Sequence, residues 1–501
     1  MSNEFGFPVL AAEEAAAMIP DGSFLGFSAF TPAGAAKAVP RALAARARAE
    51  RDAGNPVSFR VVAGASSGTA IDDALAEAEA ISWRAPYQSS RPLRAAINNQ
   101  QTEFLDMHLS HVGQMMDFGF LGDLDVGVVE ATDVRPDGRV YLSTSVGISP
   151  TILAHANRVI VEVNRHHTPR LAGMHDIATL PKPPMRSPIP IQTPMSKIGT
   201  PFVSVDPKKI VGVVMTDEAD GVAVARQPDD VSRAIAGHIT RFLVSEMKAG
   251  RIPQDFLPLQ AGVGNVANAV LGELGANPDI PAFEMYTEVL QDSQVALMRS
   301  GRLLGASTSA LTLSDGLMQE VASDLDFYGP RIVLRPTELS NNPGVIRRLG
   351  VIAINTILEM DIYGCTNSTH VCGTQLMNGI GGSGDFVRNA YVSILVAPSI
   401  AKGGAISTVV PMCSHVDHNE HSVQVLVTEQ GLADLRGLGP VQRARTIIDN
   451  CAHPSFREYL HKYIDDAPVG HLRHDLRRVF ELHTNLIETG RMLPDAVPAE
   501  S

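Results

Sequence analysis

Two segments carry residue types that could do chemistry together. Asn378 to Phe386 reads Asn-Gly-Ile-Gly-Gly-Ser-Gly-Asp-Phe, and about ninety residues upstream Met285 to Leu290 reads Met-Tyr-Thr-Glu-Val-Leu, with Glu288 inside it. Four glycines in six positions let bare backbone N–H groups come against a ligand, because no Cβ intervenes. A carboxylate in a strand-like, mostly apolar segment is costly unless it has a partner or a task. Together they predict a carboxylate nucleophile attacking an acyl group whose oxyanion is held by backbone amides.

Other motifs compete for the functional reading. Gly262-Val263-Gly264-Asn265-Val266-Ala267 matches the Gly-x-Gly-x-x-Gly/Ala dinucleotide fingerprint, and Glu288 stands 21 residues beyond Ala267, near where a ribose-binding acid would sit. This loop is read equally as a ligand cradle or a tight strand-to-helix turn, and a nucleotide-binding oxidoreductase stays open on it. The denser loop at Gly379 to Gly384 suits that reading poorly, since beyond Asp385 no acid follows in the next ~30 residues. Gly64-Ala-Ser66-Ser-Gly68 fits the Gly-x-Ser-x-Gly elbow of serine hydrolases, but reads best as a small-residue turn. Cys413-Ser-His415-Val-Asp417-His418-Asn-Glu420-His421 has metal-ligand residue types, yet falls between apolar runs as a polar connecting turn. His166-His167 reads as a strand-end loop. No Walker A pattern occurs, and the Asn367-Ser-Thr sequon has no secretion signal beside it.

The elements that must position these residues alternate between strand and helix. Phe24 to Phe27, Phe59 to Val62, Val126 to Glu130, Arg139 to Ser143 and Val159 to Val163 predict strands, and Ala35 to Glu50 predicts a helix with Pro40 in its first turns. Pro136-Asp137-Gly138 is a turn, since Pro fixes φ and Gly supplies φ > 0. Leu180 to Pro201, with seven prolines, predicts an ordered excursion packed on the surface. The polar stretch Thr216 to Asp230 predicts the domain boundary, giving an N-terminal α/β domain at 1–222 and a C-terminal α/β domain at 223–501 that carries Glu288. In the second domain Arg331 to Leu334, Ala390 to Val396 and Val423 to Val427 predict strands, and Arg436 to Asn450 and Phe456 to Ile464 predict amphipathic helices. This alternation is the mark of an α/β fold.

The chain has 501 residues, 45% hydrophobic and 19% charged, with a formal net charge of −13. That balance excludes a general nucleic-acid binder, though not a polyanionic ligand met by a local cluster of donors. The four cysteines form no Cys-x-x-Cys pair and read as reduced thiols. No signal peptide or apolar membrane-length run is visible, so a soluble cytoplasmic protein is expected.

Taken in order, the motifs make the chain resemble the acetyl-CoA hydrolase/transferase family within the class I CoA-transferases, most closely its succinyl-CoA:acetate CoA-transferases. The resemblance runs through Gly26 to Gly34, Gly64 to Gly68, Ser82 to Gln88, Leu259 to Asn265, Tyr286 to Asp292, Glu338 to Pro343, Asn378 to Phe386, Val410 to His418 and Thr428 to Gly431. It implies two related α/β domains of the class I CoA-transferase type. It also implies that Glu288 is the catalytic glutamate, with Asn341, Gly382 and Glu429 at further active-site positions. Val263, Gly264, Asn265, Val266, Ala267, Asn378, Gly382 and Lys402 fall on positions that contact coenzyme A. The resemblance further implies that Ser66 is not a nucleophile, that the histidine turn holds no metal, and that no cofactor is permanently bound. Coenzyme A then serves as substrate and covalent intermediate, acyl-CoA and small carboxylates are the partners, and the assembly is a homodimer. Water in place of the acceptor acid would make the same glutamate an acetyl-CoA hydrolase.

Overall fold

The apolar runs of the first half pair as a parallel sheet because both of its faces are covered, which lets consecutive residues be hydrophobic rather than alternating. In the computed structural model, which describes residues 4–184, 186–224 and 227–494, the strands Glu103–Phe104, Ile81–Ala85, Phe59–Ala63, Phe24–Phe27, Val126–Val134, Arg158–Asn164 and Ile210–Thr216 lie side by side in that order, all parallel. Arg139–Leu142 folds back antiparallel on Val126–Val134 through the expected Pro-Asp-Gly turn, and Val203–Ser204 extends that edge. Gly26 and Gly127 are register partners, and a Cβ on either would stand 2.9 or 2.8 Å from Ile152. The two glycines thus let helix Ser149–His155 lie directly on the sheet.

Helix Ala38–Asp52 shows how local chemistry sets an element. Val39, Leu43, Ala44 and Ala47 form its buried stripe against Leu25, Phe27, Phe59 and Val61 of the sheet, and each fully buried Leu or Phe there contributes about 1.5–3 kcal/mol. Its start is capped from another strand. The Glu162 carboxylate accepts from the N–H groups of Lys37 (2.7 Å), Ala38 (3.0 Å) and Val39 (2.7 Å), satisfying donors that a helix N-terminus leaves open.

The division into units departs from the single cut expected after residue 222. One compact unit takes Met1–Val224 together with Glu284–Met298 and Leu304–Leu349; the other takes Ala225–Phe283, Arg299–Leu303 and Gly350–Ser501. By this division the segment carrying Glu288 groups with the N-terminal residues. The physical reason is a buried ion pair. Arg335 donates through Nη1 to Asp176 (2.7 Å), through Nε to Ser307 Oγ (2.7 Å), and through Nη2 to the Pro194 carbonyl (3.0 Å), with both charged side chains at 0% exposure. Backbone bridges Ser145↔Ala310, Gly147↔Pro336 and His175↔Leu334 join the same pieces. The Pro-rich segment is held by these contacts, with Ile191 fully buried.

In the second unit the strands Leu259–Ala261, Ile352–Thr356, Val392–Val396 and Val425–Thr428 are parallel neighbours, and Gly431–Asp434 returns antiparallel. Helices Pro440–Cys451 and Pro454–Asp466 cover them with Ile447, Ile448, Phe456 and Leu460. The first of these starts four residues later than the periodicity predicts. Arg436 is drawn away to Asp434 (2.7 Å) and Glu246 (2.9 Å), and Gly437 has φ +74°. Among the described residues no helix is long and apolar enough to cross a membrane.

Removing the guanidinium of Arg335 leaves Asp176 buried without its cation, a change that costs about 3–5 kcal/mol. Arg335→Met is expected to lower the urea midpoint by a corresponding amount; a midpoint within error of the parent would contradict this reading of the pair.

Candidate active site

Glu288 sits at a bend between strand Phe283–Tyr286 and the two-residue strand Val289–Leu290. Val289–Leu290 pairs with Ala310–Leu311 in parallel. The main chain of Glu288 is pinned at its carbonyl, which accepts from Ser309 N–H (2.9 Å) and Thr308 Oγ1 (2.9 Å). The side chain is half-buried and its Oε1 accepts from Asn341 Nδ2 at 2.7 Å. Asn341 is fully buried at the end of the short helix Thr337–Ser340, so its amide is fixed in place. Such a donor holds the carboxylate orientation without neutralising it, as a nucleophile requires. The residue after Glu288, Val289, belongs to a small apolar cluster with Phe30, Ala33, Ala65, Leu109 and Ala310.

In the second unit the remaining expected residues lie on loops at strand ends. Val263 and Gly264 link strand Leu259–Ala261 to helix Asn265–Ala276, whose first turn begins with Asn265, Val266 and Ala267, the strand–turn–helix context both readings of the loop require. Gly264 has φ +106°, a conformation side chains disfavour, and Val263 is 52% exposed, an apolar side chain presented to solvent at the loop tip. Asn378 turns the chain into the second glycine loop, its Oδ1 accepting from Gly379 N–H at 2.8 Å. Gly381 is left-handed at φ +59°, and Gly382 caps helix Ser383–Val387. Ser383 Oγ meets the ring of the buried His418 at 3.1 Å.

Glu429 accepts from Ser399 N–H (2.8 Å), from the Ser399 hydroxyl, and from Gln430 Nε2 (3.1 Å). Burial pushes its carboxyl up, but these hydrogen bonds outweigh burial and hold it below the usual range. Lys402 is exposed at the turn between Ile400–Ala401 and Ile406–Ser407, at φ +46°.

The histidine turn distributes its side chains to separate partners. His415 meets Asp417 at 3.2 Å, His418 meets Ser383, and the exposed His421 meets Glu420 at 3.5 Å. Asp417 is occupied by Ser368 N–H and Thr369 Oγ1. Ser66 Oγ pairs with Ser89 Oγ at 2.6 Å, and its loop is tied down by Asp72, which accepts from Ser67 N–H and the buried Arg84.

One buried polar cluster was missed in the sequence. His167, read as a strand-end loop residue, is buried with Nε2 3.6 Å from Asp220 and 4.0 Å from Glu130. These three are the one potential metal-ligating group among the described residues. Lys37 already supplies the cation, bonding to Glu130 and, at 3.0 Å, to Asp220. Burial pulls the Lys37 ammonium down, yet the two carboxylates outweigh it and keep it protonated. The available signal was the presence of Glu130 and Glu162 inside apolar strand runs.

The same fold occurs in RipA of Yersinia pestis (23% identity, TM-score 0.68, covering 91% of this chain and 96% of that one). It recurs in a 4-hydroxybutyrate CoA-transferase of Porphyromonas gingivalis (21%, TM-score 0.62, 91% and 97%). The architecture is thus the α/β fold of class I CoA-transferases. The acetyl-CoA hydrolase/transferase N-terminal domain matches residues 3–215 and the corresponding C-terminal domain matches residues 318–464. Full-length relatives include a propanoyl-CoA:succinate CoA transferase of Escherichia coli (55% identical, covering 97% of this chain and 98% of that protein). Others are a succinyl-CoA:acetate CoA-transferase of Clostridium kluyveri (43%, 97% and 90%) and an acetyl-CoA hydrolase of Saccharomyces cerevisiae (42%, 97% and 95%). The chain belongs to the acetyl-CoA hydrolase/transferase family, and is an enzyme of that family.

A hydrogen bond to a charged group is worth about 1.5–3 kcal/mol, so Asn341→Ala is expected to lower kcat/KM by roughly 10- to 100-fold. Asn341→Asp, which sets a second carboxylate against Glu288, should lower it further. Parent-like rates in both variants, with acyl-CoA turnover followed at matched melting temperatures, would remove Asn341 from the site.

Proposed function

We propose that the protein is a CoA-transferase that moves coenzyme A from succinyl-CoA to acetate through covalent intermediates on Glu288. The observation that carries this is the Glu288 carboxylate, pinned at its own carbonyl and oriented by Asn341 at 2.7 Å. The CoA-transferase names of the 55% and 43% identical relatives support the reaction class.

In the proposed sequence the Glu288 carboxylate adds to the thioester carbonyl, the C–S bond breaks, and CoA thiolate leaves an acyl-glutamyl anhydride. The thiolate then adds to the glutamyl carbonyl, expelling the free acid and leaving a glutamyl-CoA thioester. The acceptor carboxylate attacks that carbonyl, forming a new anhydride and releasing thiolate. Attack of the thiolate on the acyl carbon yields the new acyl-CoA and restores the Glu288 carboxylate. No general base is needed, because carboxylate and thiolate are both already ionised.

Each step passes through a tetrahedral oxyanion. The backbone amides of Gly382 and of Val263-Gly264 are assigned to it, and losing one such donor costs about 3 kcal/mol of barrier. Coenzyme A is assigned to Val263 through Ala267, Asn378, Gly382 and Lys402, and Glu429 to positioning. Coenzyme A enters as substrate, with no permanently bound cofactor, and the working assembly is proposed to be a homodimer. Binding the long CoA arm supplies energy for the reacting centre.

The competing reading, hydrolysis, is supported by relatives that carry the acetyl-CoA hydrolase name. Oxygen tracing separates the two. With acetate labelled at both oxygens in unlabelled water, one acetate oxygen passes to Glu288 as the new acyl-CoA forms. It then leaves in the succinate released on the following turnover. Succinate carrying one labelled oxygen, and no turnover by Glu288→Gln, is the expected result. Succinate whose new oxygen comes from water would replace the transferase reading with hydrolysis.

A further inference from the structure

In the first unit, the Pro-rich segment and helix Pro343–Leu349 line a half-open cavity of about 330 Å³. That is large enough for a small-molecule ligand. Its apolar wall includes Leu180, Ile189 and Val345, and its polar lining includes the two cations Arg186 and Arg348; no acidic side chain lines it among the described residues. In a chain of net charge −13, two guanidiniums at one concavity without a lining carboxylate are an unusual local excess of positive charge.

The two cations differ in how they are held. Arg348 Nη2 donates to the carbonyls of Ile189 (2.7 Å) and Ile191, which fixes its charge at the rim. Arg186 donates through Nε to the Pro181 carbonyl, while its Nη2 is buried without a hydrogen-bond partner among the described residues. A buried donor of a charged group left unmet costs more than a neutral one. The carboxyl that feels the charge of Arg186 is Glu338, which packs against Gly113. Burial, with Asp117 adding to it, pushes Glu338 up to about 7, so near neutral pH it offers only part of a counter-charge.

We propose that this cavity is a carboxylate-binding pocket, anchored by Arg186, for a small organic acid with a short apolar chain. Arg recognises carboxylate through paired N–H donors, and the apolar wall suits methylene groups. The carboxylate has two sources: the far end of a dicarboxylic acyl substrate, or a free acid acting on the enzyme from outside the reaction. The first source rests on the transferase reading. Binding itself does not, because it is measured without turnover.

The test is a titration of the full-length protein with succinate, and with acetate as control, followed by ligand-observed NMR. Parent, Arg186→Met, Arg186→Lys and Ser187→Asp are compared; the last adds a carboxylate at an exposed lining position and leaves the core untouched. Arg186→Met and Ser187→Asp are expected to weaken succinate binding by about tenfold or more, and Arg186→Lys to retain part of it, at parent-like melting temperature. A raised KM for succinate with acetate unchanged would identify the acyl substrate as the source. Unchanged KM values, with an effect of added succinate on rate that vanishes in Arg186→Met, would identify a free acid. Equal succinate binding in all four proteins overturns the proposal. So does a loss of succinate and acetate binding together that follows the melting temperature.

Discussion

The Arg335–Asp176 pair is the constraint on which the segment bearing Glu288 depends. Its guanidinium ties together the Asp176 loop, the Pro-rich excursion that follows it, and the distant strand containing Ser307. Arg335 N–H also donates to the Thr308 carbonyl, and the Arg335 carbonyl accepts from Ser309 Oγ. Thr308 and Ser309 in turn hold the Glu288 carbonyl. A buried charge that has given up its hydration must have every partner in place, so this pair transmits a fixed geometry to Glu288. That is how a glutamate on a bend, outside any long element, acquires a rigid seat.

The chemistry asked of Glu288 suits this arrangement. A carboxylate is a weak nucleophile, and a neutral amide donor from Asn341 orients it without drawing off its charge. The seat also explains why glycine loops are proposed to supply the complementary part. Backbone N–H groups, unlike side chains, lose no rotamer freedom when they meet an oxyanion. The conformational freedom this needs is visible at Gly264 and Gly381, both left-handed.

Much of the α/β architecture was legible from the sequence. Continuous apolar runs such as Phe24–Phe27 and Val392–Val396 announced strands covered on both faces, and Ala/Arg-rich periodicity announced the helix Ala38–Asp52. Glu288 stood out because a carboxylate in an apolar strand context needs a reason. What periodicity could not give was the long-range pairing. Nothing local in residues 284–349 says that Arg335 finds Asp176 more than 150 residues away, so the grouping of these residues with the N-terminal ones could not be read from periodicity. His167 lies in the strand-end loop expected of it, but its burial beside Glu130 and Asp220 was not legible for the same reason, since those partners lie on other segments. Arg436 left its predicted helix because two acids compete for it, a tertiary override of propensity.

The proposed reaction requires Glu288 to form a covalent bond to coenzyme A. Mixing the enzyme with succinyl-CoA in the absence of acceptor, then digesting and mapping peptides by mass spectrometry, tests it most directly. The account predicts a CoA adduct on the peptide bearing Glu288, absent in Glu288→Ala and discharged when acetate is added. An adduct on another residue, or steady turnover by Glu288→Ala, would contradict it.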